Sequence, residues 1–422
     1  MNLAGSELSV PGVRLSRYVD PISSVEDGIW VNRFDHVSIG LGPLTISIID
    51  DILGSSSFVF DSIAHYFVYY ELVDVGFFIP LTVVDEDAYL SRLRPLKKSI
   101  SFFNFPFCFH HDIPLDAQGV VLGLPCHAGS YTAGAANGPA LLRKASRRHF
   151  WRTGNIDDAF TLDGAAHPAA ELRWYDVGDM NLKGVTLATW LEYVESIVGG
   201  FPPNVIPLIL GGDHSLSFAS IKATKNKLQK PLCVIQFDHH LDIDLQGFSS
   251  GYGARYSKSI DHSNFVSHLH EFDPDIHFVH IGVNHYQCAG KGGRDVALKY
   301  LKGLGTQVSN LQMLNLSNER ILKLIPPDHD VYISFDVDVI SMLELRTTGN
   351  PAPLGISFGR AISLLVEVLD RYRVVGVDIM EFGYPDPFID ANSELEADRV
   401  AYVIAEILKH ILPLDQKRNL YE

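Results

Sequence analysis

Three short apolar runs in this chain each stop at a burst of acidic and imidazole side chains, and no other feature restricts its fold as strongly. They read PLCVIQFDHHLDID from Pro231 to Asp244, DVYISFDVDVI from Asp330 to Ile340, and VIPLILGGDHS from Val205 to Ser215. Apolar residues at consecutive positions mark strands buried on both faces, the habit of parallel sheets. Asp238, His240 and Asp242 follow the first run at every second residue, and Asp336 and Asp338 leave the second with the same spacing. An extended backbone would send side chains so spaced to one side. In the third run Gly211 and Gly212 permit a sharp turn, His214 comes next, and Ser215 is placed to cap a following helix. All three deliver their polar residues at the carboxyl end, where open α/β sheets bind ligands.

The rest of the chain from Gly119 onward fits the same plan. Gly119 to Pro125, His277 to Val283 and Val374 to Val377 read as further strands. Helical spacing lies between them, notably over Thr186 to Val198, Leu216 to Leu228, Ala297 to Leu304 and Phe358 to Tyr372, with Glu394 to Leu412 as a closing amphipathic helix. Such alternation predicts a parallel sheet covered on both faces. Ala128 to Asn137 reads as a small-residue loop before a helix that starts at Gly138-Pro139 and carries Arg143. Arg173 to Met180, RWYDVGDM, reads as a turn in which Asp176 and Asp179 are structural hydrogen-bonders.

With 422 residues, one large domain plus an extension is expected. The expected partition is residues 1–115 as an amino-terminal extension or accessory module and residues 116–422 as the catalytic domain. The extension is rich in aromatics, and its run Phe58 to Leu81 is broken by Asp61, Glu71 and Asp74, which suits a β-rich or mixed packing module better than a membrane span. Ser101 to His111, SFFNFPFCFHH, is placed to cover the catalytic domain or a neighbouring subunit, with His110 and His111 structural. A formal net charge of −16 argues against nucleic acid and anionic membrane as partners. The four cysteines lack framework spacing, which points to reduced thiols and a cytoplasmic location.

Two unit charges about 4 Å apart at an effective dielectric of about 20 repel by roughly 4 kcal/mol. Four aspartates meeting in one crevice would make several such pairs, a cost comparable with a domain's whole stability of about 5–15 kcal/mol. Two divalent cations would offset all four charges. Carboxylates and imidazoles without thiolate favour Mn²⁺ over a cysteine-rich zinc site.

GGDHS, DHHLD and SFDVD, in this order, resemble the signatures of the ureohydrolase superfamily (arginase, agmatinase, formiminoglutamase), and the resemblance spans about Gly119 to Leu414. It implies a three-layer α/β/α fold with a mostly parallel central sheet and, as cofactors, two divalent metal ions, Mn²⁺ before Ni²⁺ or Co²⁺. One ion would be held by His214, Asp238, Asp242 and Asp336, the other by Asp238, His240, Asp336 and Asp338. The pair would acidify a shared water, and the resulting hydroxide would attack a guanidinium carbon, releasing urea. The resemblance also implies a homo-oligomer, trimer or hexamer.

By the same resemblance Glu381, in VVGVDIME, receives the guanidinium, with Asp378 as companion or as support for the metal shell. His262, in HSNFV, is matched to the proton-shuttling histidine, and Lys258 in ARYSK is its rival. Three departures bear on substrate. His239 stands where alanine is usual and would point away from the metals if strand periodicity held; Asn284 replaces an arginine, with Gln287 nearby; Asp244 puts a negative charge where a substrate carboxylate would lie. The expected substrate is therefore a guanidino compound other than arginine, agmatine-like or a small guanidine. A formiminoglutamase-type or arginase-type hydrolase is the alternative, and an inactive metal-binding scaffold the reading from another class.

Overall fold

A computed structural model describes residues 100–108, 110, 113–130, 134–149, 173–182, 185–244, 259–287, 293–383 and 391–411, together with short stretches between residues 9 and 97. Two compact units result: Met1–Lys97 with Asn181–Val185, and Lys98–Met180 with Thr186–Glu422. The partition expected at 115/116 thus meets a division at Lys97/Lys98. In the first unit the described residues form short antiparallel pairings, Ser9–Pro11 with Ser57–Val59, Val13–Leu15 with Phe78–Pro80, and Val19–Pro21 with Ile29–Asn32 and Val37–Gly40.

The second unit is built on eight strands: β1 (Gly119–Leu124), β2 (Trp174–Met180), β3 (Ile206–Gly211), β4 (Leu232–Phe237), β5 (His277–Val283), β6 (Gly305–Ser309), β7 (Asp330–Asp336) and β8 (Val374–Met380). They lie in the order β6-β5-β4-β7-β8-β3-β1-β2, every pairing parallel. Between them run α1 (Gly138–His149), α2 (Leu187–Gly200), α3 (Ser217–Lys225), α4 (Phe265–Phe272), α5 (Arg294–Leu304) and α6 (Phe358–Arg371), with α7 (Ala391–His410) closing the unit. Thr186 caps α2 by accepting from Thr189 N, and Ser357 caps α6 by accepting from Arg360 N.

The side-chain alternation of β4 makes the layers visible. Cys233, Ile235 and Phe237 enter one core with residues of α1, α6 and α7, while Leu232 and Val234 enter another with residues of α3, α4 and α5. Helices therefore cover both faces, and most strands are largely apolar because each face must be buried. Among the described residues no helix is long and apolar enough to cross a membrane.

Three local readings need correction. RWYDVGDM is a strand, β2, with a bulge between Asp176 and Asp179 where Gly178 takes φ +88°. Its carboxylates grip a buried arginine: Arg143 Nε donates to Asp179 Oδ1 at 2.9 Å, and its Nη1 donates to Asp176 Oδ2 and, at 3.1 Å, to Ile100 O. Second, the aromatic segment from Ser101, expected as part of the amino-terminal extension, belongs to the second unit. Phe102, Phe103 and Phe105 belong to the core beside Trp174, and Phe102 N donates to Asp176 Oδ2 at 2.7 Å. His111 lies outside the described residues. Third, β6 has no counterpart in the sequence reading, since GTQVS lacks an apolar run.

Candidate metal centre

Four strands adjacent at the middle of the sheet, β4, β7, β8 and β3, carry the candidate residues on or just beyond their carboxyl ends. At the end of β3 a Cβ on Gly212 would lie 2.0 Å from Cys126 O, so only glycine lets this turn pass against the end of β1. The cap of the following turn, His214–Leu216, is Asp213 rather than Ser215; its side chain accepts from Ser215 N at 3.1 Å and from Gly129 N at 3.0 Å. Burial and the nearby Glu381 charge push Asp213 up to about 6.

His214 is fixed from two sides. Its backbone N donates to Glu381 Oε1 at 2.9 Å, and its Nε2 lies 2.9 Å from Ser334 Oγ, which donates to Asp378 Oδ1 at 2.7 Å. Tyr332 OH donates to the other oxygen of Asp378 at 3.0 Å. With its own proton given to Asp378, Ser334 Oγ must accept from the ring, which places the histidine proton on Nε2. In the neutral ring Nδ1 then carries the lone pair available to a metal ion. It is buried without a hydrogen-bond partner, yet Asp238, Asp242 and Asp336 each bring an oxygen to 3.2, 3.0 and 3.2 Å from it.

A second cluster adjoins the first. His240 Nδ1 lies 3.0 Å from Asp338 Oδ2 and 3.5 Å from Asp238 Oδ1, so Asp238 turns one oxygen to each histidine. The Asn350 side-chain amide sits 2.9 Å from His240 Nε2. The groups His214, Asp238, Asp336 and Asp238, His240, Asp338 each converge closely enough to hold a metal ion. The fit is chemical as well as spatial: imidazole nitrogens with carboxylate oxygens 3.0–3.2 Å away are a donor set that would suit a divalent ion such as Mn²⁺.

Electrostatics gives the same answer. Burial and the charge of Asp238 push Asp242 up to about 7; burial with Asp338 and Asp238 pushes Asp336 well above the usual range, and burial with Asp238 also raises Asp338. Burial opposes ionisation of Asp238 too, but His214 and His240 outweigh it and hold this carboxyl well below the ordinary value. Burial works against charge on His214 and His240, yet the surrounding carboxylates keep both pKa values raised. The cluster thus retains protons where cations are wanted.

These residues converge although the expected period-two geometry fails. β4 stops at Phe237, and Asp242 and Asp244 take φ +50° and +44° in the turns beyond it; Asp338 sits in a helical turn, Val337–Val339. Because the chain turns, His239 does not point away: it lines the same cavity, and its backbone N donates to Asp338 Oδ1 at 3.2 Å. That cavity, about 640 Å³, is also lined by Glu381, His262, Asp244, Asn284, Gln287 and Asn350. His262 Nδ1 lies 3.5 Å from Glu381 Oε1; burial opposes its protonation, but Glu381, Asp242 and Asp213 raise its pKa overall. Lys258 lies outside the described residues.

Three contributors were not singled out from the sequence: Ser334, Asn350 and Gln236. Gln236 is fully buried and its Nε2 donates to Asp238 Oδ2 at 2.6 Å and to Asp242 Oδ2 at 3.3 Å. A polar residue inside an apolar strand run was the available signal for Gln236 and Ser334, because a buried polar group needs a partner.

A parallel α/β/α sheet with carboxylates and imidazoles gathered at its central strand ends defines a metal-dependent hydrolase scaffold. The arginase family model matches residues 117–410, and the chain belongs to that family. Its members are hydrolases acting on carbon–nitrogen bonds of linear amidines, and they work with a pair of divalent ions. The chain is 29% identical over 293 residues to an agmatinase of Pyrococcus horikoshii, covering 68% of this chain and 92% of that protein. The structure of proclavaminate amidinohydrolase from Streptomyces clavuligerus superposes with a TM-score of 0.59 at 26% identity, over 75% of this chain and 98% of the other. Trypanosoma cruzi formiminoglutamase with Mn²⁺ shares the fold, with a TM-score of 0.56 at 22% identity over 69% and 93% of the two chains.

Proposed function

We propose that this amidinohydrolase releases urea from a guanidino compound without a carboxylate, an agmatine-like amine or a small guanidine. One observation carries the reading: among the described residues that line the 640 Å³ cavity there is no lysine or arginine, while Asp244 and Glu381 both face it. A substrate carboxylate would meet fixed negative charge there and, among the described lining residues, no cationic lysine or arginine. Arginine and formiminoglutamate each carry such a group.

In this reading His214, Asp238, Asp242 and Asp336 hold one ion and Asp238, His240, Asp336 and Asp338 the other, Mn²⁺ being the best match to the donors. Bound there, the ions supply an acidified water as nucleophile and neutralise the carboxylates. Everything else is done by the chain. Glu381 orients the substrate, since a planar cationic fork pairs best with a carboxylate in its plane. Its Oε1 is anchored by His214 N, so the orientation is inherited from the metal cradle itself. His262, beside Glu381 and with a raised pKa, holds a proton near neutrality and delivers it to the departing amine. A homo-oligomer, trimer or hexamer, is proposed from family resemblance and is checked by light scattering.

The test is urea release from agmatine, guanidine, arginine and 4-guanidinobutanoate by Mn²⁺-, Ni²⁺- or Co²⁺-loaded protein, with formamide release from formiminoglutamate alongside. Agmatine or guanidine is expected to exceed arginine in kcat/KM by about tenfold or more, the scale of one lost charge-assisted contact. Preference for arginine or formiminoglutamate would reverse the substrate assignment. Release of neither product from any of them would support a scaffold instead.

A further inference from the structure

A second cavity, about 550 Å³, opens at the opposite end of the sheet, where β3 and β8 begin. Its wall is largely apolar, with Val205, Ile206, Leu228, Leu369 and Val375, and it carries two cationic residues, Lys227 and Arg373. Arg373 is already paired, Nη1 lying 2.7 Å from Asp330 Oδ2. Lys227 is not. Its Nζ donates to Val198 O at 2.8 Å and Phe201 O at 3.5 Å, neutral carbonyls at the end of α2, and lies 5.9 Å from the Phe201 ring centroid. Among the described residues no carboxylate pairs with it. Burial consequently lowers its pKa to about 8. An ammonium has three donors, and two are used. A partly buried cation without a counter-charge among the described residues, set in an apolar wall of ligand size, is an incomplete ion pair.

We propose that this cavity binds a small carboxylic acid with an apolar body, its carboxylate on the third donor of Lys227 and its body against Leu228, Leu369 and Val375. A carboxylate completes the pair with a charge-assisted hydrogen bond, and the apolar body removes the wall from water. The site does not depend on the substrate assigned to the metal end.

Titration calorimetry of the metal-loaded protein with hexanoate and with its uncharged isostere hexanamide tests this. Hexanoate is expected to bind, and hexanamide to bind about tenfold more weakly or less. Lys227→Gln, which removes the charge and keeps a polar side chain, is expected to weaken hexanoate by a similar factor. Leu228→Trp, which fills the space and leaves the cation, is expected to abolish binding, and the circular-dichroism melt of each variant confirms folding. Equal binding of acid and amide, or absence of hexanoate binding up to about 10 mM, overturns the proposal. So does hexanoate binding that both variants leave unchanged, because the ligand would then sit on the metals.

Discussion

The two halves of the metal cradle are built alike and enclosed differently. The His214 side chain is 1% exposed, and Ser334, Asp378 and Tyr332 back its ring in a buried chain; the His240 side chain is 39% exposed and leans on Asn350 at the cavity wall. Hydrogen bonds among buried groups are electrostatically stronger and less able to rearrange than those beside water. The inner half should therefore be rigid and hold its ion tightly, and the outer half should exchange its ion more readily.

The largest effect expected from this contrast is on loading. His214→Ala should lower bound metal below one ion per chain and reduce activity by about a thousandfold or more, whereas His240→Ala should keep close to one ion, as read by elemental analysis of dialysed protein. Equal loss from both variants would erase the distinction between the halves. Next comes the backing of each ring. Asp378→Asn disturbs the proton assigned to His214 Nε2 and should cost about 10–100-fold in metal affinity, the range seen when such outer partners are removed. Asn350→Ala should cost only a few-fold, because water can replace the amide at an exposed ring. Chelator titrations of the two variants compare the costs directly.

The smallest effect is on stability. Without metal, Asp242 titrates near 7 instead of 3.8, and His214 and His240 titrate above 6.5. A folded state that keeps protons the unfolded chain has shed loses stability as pH rises. Asp242 acts in that sense between about pH 4 and about pH 7 and the two histidines above about pH 6.5, so together they span about pH 5 to about pH 8. Asp238, held below 3.8, acts oppositely but only in more acid solution. Tm of metal-free protein should therefore fall across that interval by a few degrees, while metal-loaded protein should gain, since ions replace protons as the acid groups ionise. Parallel pH trends for the two forms would show that the carboxylates titrate independently of the cradle.

Most of the sheet was legible because buried parallel strands advertise themselves as apolar runs. β4 and β5 appear with the expected limits, and β3, β7 and β8 within a residue or so except for the carboxyl end of β8. The candidate donors were legible for a related reason, since acidic residues directly after an apolar strand stand out. Their route together was not. Asp242 at φ +50° and Glu381 at φ +61° are left-handed turns without glycine, and nothing in the residue type announces them. Ser334 and Asn350 were hidden for opposite reasons: the first is a small polar residue inside an apolar run, the second a loop asparagine 110 positions from its partner. β2 was misread because DVGD has turn composition, and the bulge that accommodates it needs a neighbouring strand to exist.

Arg143 ties helix α1, strand β2 and the segment before Phe102 through one guanidinium, almost wholly enclosed. Releasing any one of the three strands a buried charge, so none can fray alone. Amide protons of β2 and α1 should then exchange with solvent at one common rate, and this side of the sheet should melt in a single step instead of peeling.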